Sequence, residues 1–144
     1  MKTKTVILIC LLLTGMTAQA ALPQGKWVVE KVIIEKSTDG NVQTTVYNNA
    51  AEVQSFIPCM QELEINAQSI VLRYADGRED TADYALEGNQ LTIYIVVGSQ
   101  TYQYDVKKGK LTLTAVYNYV NNDTQARRSK QINEKRIITF KKQK

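Results

Sequence analysis

Few residues in this chain can do chemistry, and histidine is absent altogether. Without imidazole there is no Ser-His-Asp triad, no Cys-His pair, no His-ligated zinc or haem, and no base that titrates near neutrality. Three other groupings remain. Cys59, between Pro58 and Met60, is the one cysteine after residue 20, so it reads either as a reactive or intermolecular thiol or as a small buried hydrophobe. Asp76, Glu79, Asp80 and Asp83 could offer oxygens to Ca²⁺, but they lack the EF-hand spacing and read as a solvated acidic turn instead. Glu62 and Glu64 are two residues apart and therefore share a strand face, opposite Leu63 and Ile65. That pair would do acid-base work only if enclosed, and the alternation turns it toward water. The expectation is a protein that is not an enzyme, with no metal site and no cofactor.

The elements that position these residues are strands. After residue 20 the chain is written in Val, Ile, Thr and Tyr with period-two alternation, broken by short turns at Asp39-Gly40, Asp76-Gly77, Gly88-Asn89, Gly98-Ser99 and Lys108-Gly109. Strands are expected over 26–36, 41–47, 61–66, 69–74, 81–86, 90–97, 100–107, 110–120 and 131–142, with 121–130, including Arg127-Arg128, as a polar loop. One segment follows helical spacing instead: Ala50, Val53, Phe56 and Ile57, after a cap at Asn48 or Asn49 and before Pro58. A short helix near residues 49–57 is expected, either as a lid over a cavity or as plain packing. The fold class is all-β. Strands of this number joined by hairpins must hide their edges, and the unbroken hairpin order predicts an antiparallel up-and-down meander closed into an eight- or nine-stranded barrel.

The N-terminus carries an address. Lys2 and Lys4 precede the apolar run Val6 to Leu13, and Ala18-Gln19-Ala20 follows, which is the pattern of a secretory signal peptide over residues 1–20 with Cys10 as filler. The run falls short of the ~20 residues that span a bilayer, so no transmembrane segment is expected. A single exported domain over 21–144 follows, periplasmic or extracellular. Its charge is segregated: residues 21–106 hold 5 basic and 12 acidic side chains, and residues 107–144 hold 11 and 2. This marks either an acidic partner for the C-terminal third or self-complementarity between the first and last strands. Nucleic acid is not expected, because the basic residues are not interleaved with aromatics in any binding motif.

Gly25-Lys26-Trp27, opening the first strand of an exported all-β domain, resembles the Gly-x-Trp start of the lipocalins and the wider calycin superfamily. The resemblance implies a small bacterial lipocalin-like barrel in which Gly25 and Trp27 close one end. It also implies that a basic residue of the last strand packs over the indole, with Arg136 the candidate by position and Lys135 the alternative. Thr81-Ala82-Asp83-Tyr84 matches the family's internal motif only loosely, and no helix precedes the last strand. The implied function is non-enzymatic binding of a small, largely apolar molecule inside the barrel.

Independently of resemblance, alternation aims Tyr74, Tyr84, Ile93, Ile95, Tyr102, Tyr104, Leu113 and Tyr117 inward. A barrel of eight strands either fills with side chains or leaves room for one small ligand. The 8 tyrosines against 2 phenylalanines fit an apolar wall with hydroxyls that orient a ligand, or equally cross-strand pairs at a barrel mouth. The alternative function is a protein-binding or inhibitor module that uses loops and charged patches on a filled barrel.

Overall fold

The computed structural model describes residues 21–54, 60–125 and 127–144. The signal-peptide reading, Cys10, Cys59 and the second half of the expected helix, with Phe56, Ile57 and Pro58, therefore lie outside the described residues. Among the described residues nine strands form one antiparallel sheet: β1 (Gly25–Thr38), β2 (Asn41–Tyr47), β3 (Met60–Ile65), β4 (Ser69–Tyr74), β5 (Glu79–Glu87), β6 (Gln90–Ile95), β7 (Gly98–Lys107), β8 (Lys110–Asp123) and β9 (Arg128–Lys142). Every neighbour from β3 to β9 is joined by a hairpin, and β9 returns to pair with β1 from Trp27↔Lys142 to Thr38↔Ile132. Eight strands thus close a barrel, and β2 stands outside the ring.

β2 is explained by the length of β1. The lower part of β1, Gly25 to Val28, pairs with β3, whereas the upper part, Val32 to Thr38, pairs with β2 on the same edge. The backbone polar groups along that edge are satisfied by two successive partners. Helix α1 (Ala50–Gln54) joins β2 to the segment leading into β3. Asn49 Oδ1 caps it by accepting from Glu52 N at 2.9 Å, and Glu52 Oε2 returns the contact to Asn48 N at 2.6 Å. Val53 is fully buried in the core, so the described part of the helix is packing rather than a lid.

A β-bulge between Val29 and Lys31 switches the phase of β1. Trp27 and Val29 point inward below it, and Val32 and Ile34 above it. The lower barrel is packed solid by Trp27, Leu63, Ile65, Ile70, Leu91, Leu111, Leu113 and Phe140. Gly25 opens β1 at φ +124°, a backbone conformation that side-chain-bearing residues rarely adopt.

Two expected turns are corrected. The β6–β7 loop is Val96-Val97, not Gly98-Ser99, because Ile95 pairs with Gly98 and Leu91 with Tyr102. A turn two residues later would place Leu91 opposite Val106, a shift of four positions. Because four is even, alternation fits both registers equally. The expected loop over 121–130 is mostly strand: β8 and β9 stay paired to Asp123↔Arg128, and Ser129 Oγ bonds Asn122 Oδ1 at 3.1 Å. No described helix is long and apolar enough to cross a membrane.

Candidate functional site

Above Gln103↔Thr114 the pairing of β7 with β8 ends, although each strand continues, β7 beside β6 and β8 beside β9. The wall parts there, at the end of the barrel opposite Trp27. A cavity of about 380 Å³ opens in this mouth. Leu72, Met60, Ile93 and Ile138 form its floor, Tyr74, Tyr102 and Tyr117 its wall, and Ile95 and Val97 an apolar lip, with Arg78, Asp80, Gln100 and Arg136 beside them. Its size falls at the small end of the range for ligand pockets.

Local structure aims each polar group. The β4–β5 turn presents Arg78, whose Nε donates to Asp76 Oδ2 at 2.6 Å while its guanidinium lies 5.1 Å from the centre of the Tyr74 ring. Hydrogen bonds from the Arg78 backbone N–H and then its side chain hold the Asp76 carboxyl below its ordinary value. On β9 the inward phase runs through Glu134, Arg136, Ile138 and Phe140. Arg136 stacks over the Tyr117 ring at 4.8 Å and donates Nε to Glu134 Oε1. Glu134 is buried, accepts from Tyr119 Oη at 2.9 Å, and lies 3.6 Å from Lys36 Nζ. Burial raises the Glu134 pKa, but the hydrogen bonds from Arg136 and Tyr119 outweigh it, and the net direction is down. Burial, then the neighbouring Tyr117, pushes the Tyr102 phenol well above its usual value, so Tyr102 is a neutral hydroxyl at any physiological pH.

No family model, no curated protein and no solved structure matches this chain. The site must be read from its own geometry.

Five of the eight residues expected to line a ligand site meet in the cavity: Tyr74, Ile93, Ile95, Tyr102 and Tyr117. Three do not. Leu113 is fully buried in the packed lower barrel. Tyr84 and Tyr104 sit at the closed end, where their hydroxyls donate to the backbone carbonyls of Asn66 and Gly88 at 2.9 and 3.2 Å. Alternation gives the face of a strand but not the height along it, and height separates these residues.

Arg136 is likewise displaced from its expected place. Trp27 is buried at the closed end, donating Nε1 to Pro23 O at 3.2 Å, and the cation over its ring is Lys142, 5.8 Å from the centre. Arg136 pairs with Ile34, well up the same strand, and Lys135 faces the other side opposite Glu35. β9 ends at Lys142 as expected, but it is Lys142, in phase with Arg136 and six residues beyond it, that reaches Trp27. Sequence reasoning missed Glu134, Arg78 and Gln100, and it placed Asp80 in an acidic turn rather than in the cavity. A signal existed for Glu134: a carboxylate two residues before Arg136, on an otherwise apolar inward phase.

The acidic groupings are accounted for by arginines. Arg73 reaches Glu62 Oε1 at 2.7 Å, Glu64 Oε2 at 2.9 Å and Glu79 Oε2 at 2.9 Å on the outer wall. Asp76 is taken by Arg78, and Asp80 joins the cavity lining. Among the described residues no cluster of three or more Cys, Asp or Glu is placed to hold a metal ion. Charge segregation is met within the fold: Glu35 lies opposite Lys135, Lys36 opposite Glu134, and Lys110 Nζ is 2.9 Å from Glu30 Oε2.

Proposed function

We propose that this protein is an exported, non-enzymatic binder of a small, largely apolar molecule, held in the mouth of a lipocalin-like barrel. The observation that carries the reading is the cavity itself: an apolar floor under three tyrosines, in a barrel packed solid below. Placing hydroxyls over an apolar floor suits a ligand with one polar end, since buried polar atoms need partners while apolar surface needs only contact. The barrel supplies rigid walls, and the parted strands β7 and β8 supply an entrance. Gly25-Lys26-Trp27 at the closed end supports the lipocalin-like part of the reading, and the leader-like residues 1–20 support export to the periplasm or beyond.

The test is titration of the mature protein with the neutral fluorophore N-phenyl-1-naphthylamine, beside native mass spectrometry of protein from its own host. Saturable binding is expected, and Ile95→Trp, which fills the lip from a half-exposed position, should abolish it without lowering the melting temperature. Absence of saturable binding in the unmodified protein sinks the proposal. A second reading, a protein-binding module, is favoured by one feature: the β6–β7 tip, where Val96 and Val97 are 106% and 94% exposed beside exposed Tyr94 and Ile95.

A further inference from the structure

We infer that the mouth cavity selects an uncharged ligand, an apolar body with a hydroxyl, carbonyl or amide head, over the carboxylate of the same length. The inference rests on the ligand-site reading and names the chemistry of the head group. Two arginines in a tyrosine-rich mouth would ordinarily invite an anion, since a guanidinium is a strong bidentate partner for carboxylates. Here both are already committed. Arg136 donates to Glu134 and sits over the Tyr117 ring at 4.8 Å, and Arg78 donates to Asp76 and sits over the Tyr74 ring at 5.1 Å.

The surrounding charges leave no surplus. Lys36, Arg78 and Arg136 contribute three positive charges around the mouth, and Asp76, Asp80 and Glu134 three negative ones. Glu134 is held ionised by Arg136, Tyr119 and Lys36, so it neutralises Arg136 throughout the neutral range. A ligand carboxylate entering this mouth gives up its hydration and meets no unmatched cation, and Asp80 opposes it from the lining. A hydroxyl or carbonyl head meets a different situation. Tyr102 and Tyr117 both line the cavity, and a phenol both donates and accepts, so a neutral head can bond either hydroxyl in either sense.

The experiment is displacement of N-phenyl-1-naphthylamine near neutral pH by 1-decanol and by decanoate, below micelle-forming concentrations. The unmodified protein should favour decanol by at least about tenfold, as expected where a charge must be desolvated without a partner. An apolar cavity of any kind shows some such preference, so the decisive readout is its change in two variants. Glu134→Gln removes the charge that neutralises Arg136, and Asp76→Asn, at an exposed turn and keeping the Oδ1 that accepts from Arg78 N, removes the charge that neutralises Arg78. Each should move the decanoate-to-decanol ratio toward decanoate by about fivefold or more, the size of a charge-assisted contact regained. A ratio that stays fixed in both variants overturns the inference, as does an unmodified protein that prefers decanoate, and either result leaves the cavity reading standing. Failure of the naphthylamine itself to bind removes the cavity reading and the inference with it.

Discussion

Replacing Trp27 by alanine tests whether the closed end holds the barrel together. The indole is 1% exposed, so the substitution removes almost its whole surface from the core. Trp→Ala in a packed site costs about 3–5 kcal/mol. Its hydrogen bond to Pro23 O, at 3.2 Å, adds about 0.5–1 kcal/mol, and loss of the exposed Lys142 contact at 5.8 Å adds no more than that. Neighbours will relax in part into the void, so about 4 kcal/mol is the expected total. With a urea dependence of about 1.5 kcal/mol per molar for a domain of this size, the midpoint should fall by about 2.5 M. The assay is urea unfolding followed by far-ultraviolet circular dichroism, because the variant has no tryptophan left to report. Lys142→Ala is the control and should lose only about 0.5–1 kcal/mol. A Trp27→Ala midpoint within about 0.5 M of the unmodified protein would refute the reasoning, since it corresponds to under 1 kcal/mol.

Other perturbations separate the remaining parts. Tyr102→Phe and Tyr117→Phe should weaken ligand binding while Tyr84→Phe and Tyr104→Phe leave it unchanged, measured by the naphthylamine titration; equal effects at both ends of the barrel would contradict the placement of the site. Asn49→Ala removes the cap of α1 and should cost about 1 kcal/mol, read as a lower melting temperature. Arg73→Ala leaves Glu62, Glu64 and Glu79 facing one another and should destabilise at low salt, with the loss shrinking at high salt; a salt-independent loss would mean that packing dominates. Because the Glu134 pKa is depressed in the folded state, its stabilisation is present above the unfolded value of about 4.3 and is lost as pH falls through the folded value. The stability difference between the unmodified protein and Glu134→Gln, from urea melts at several pH values, should therefore shrink as pH falls below about 4.

What the sequence made legible follows from what alternation encodes. It reports faces, so the inward sets on β4, β6, β7 and β8 and the closure of the meander were readable before any coordinates. It does not report shear, the stagger that a closed barrel imposes between neighbouring strands. Stagger decides that Tyr104 sits at the closed end while Tyr102, one inward position away, reaches the mouth. It also decides that Lys142 rather than Arg136 covers Trp27. The bulge after Val29 was hidden because Val28, Val29, Val32, Ile33 and Ile34 are apolar on both faces, leaving no phase to read. The neutralised Arg78 belongs to the same class, since it reaches the mouth and meets Asp76 only because of the turn between β4 and β5.

The seam between β1 and β9 also constrains the order of assembly. β1 comes first and β9 last among the described strands, so the ring cannot close until all of them have been made. Pairings of such long sequence separation are slow to form, because the loop must be closed before the contacts reward it. Until then Trp27 and Val29 lack the β9 partners, Phe140 among them, that complete their burial. β2 acquires a purpose in that interval. It is a local hairpin partner that covers one edge of the upper half of β1 from the outset and stays in place after the ring is complete. A chain cut short before β9 would leave the facing edges of β1 and β8 bare, and its expected fate is aggregation or degradation rather than partial function.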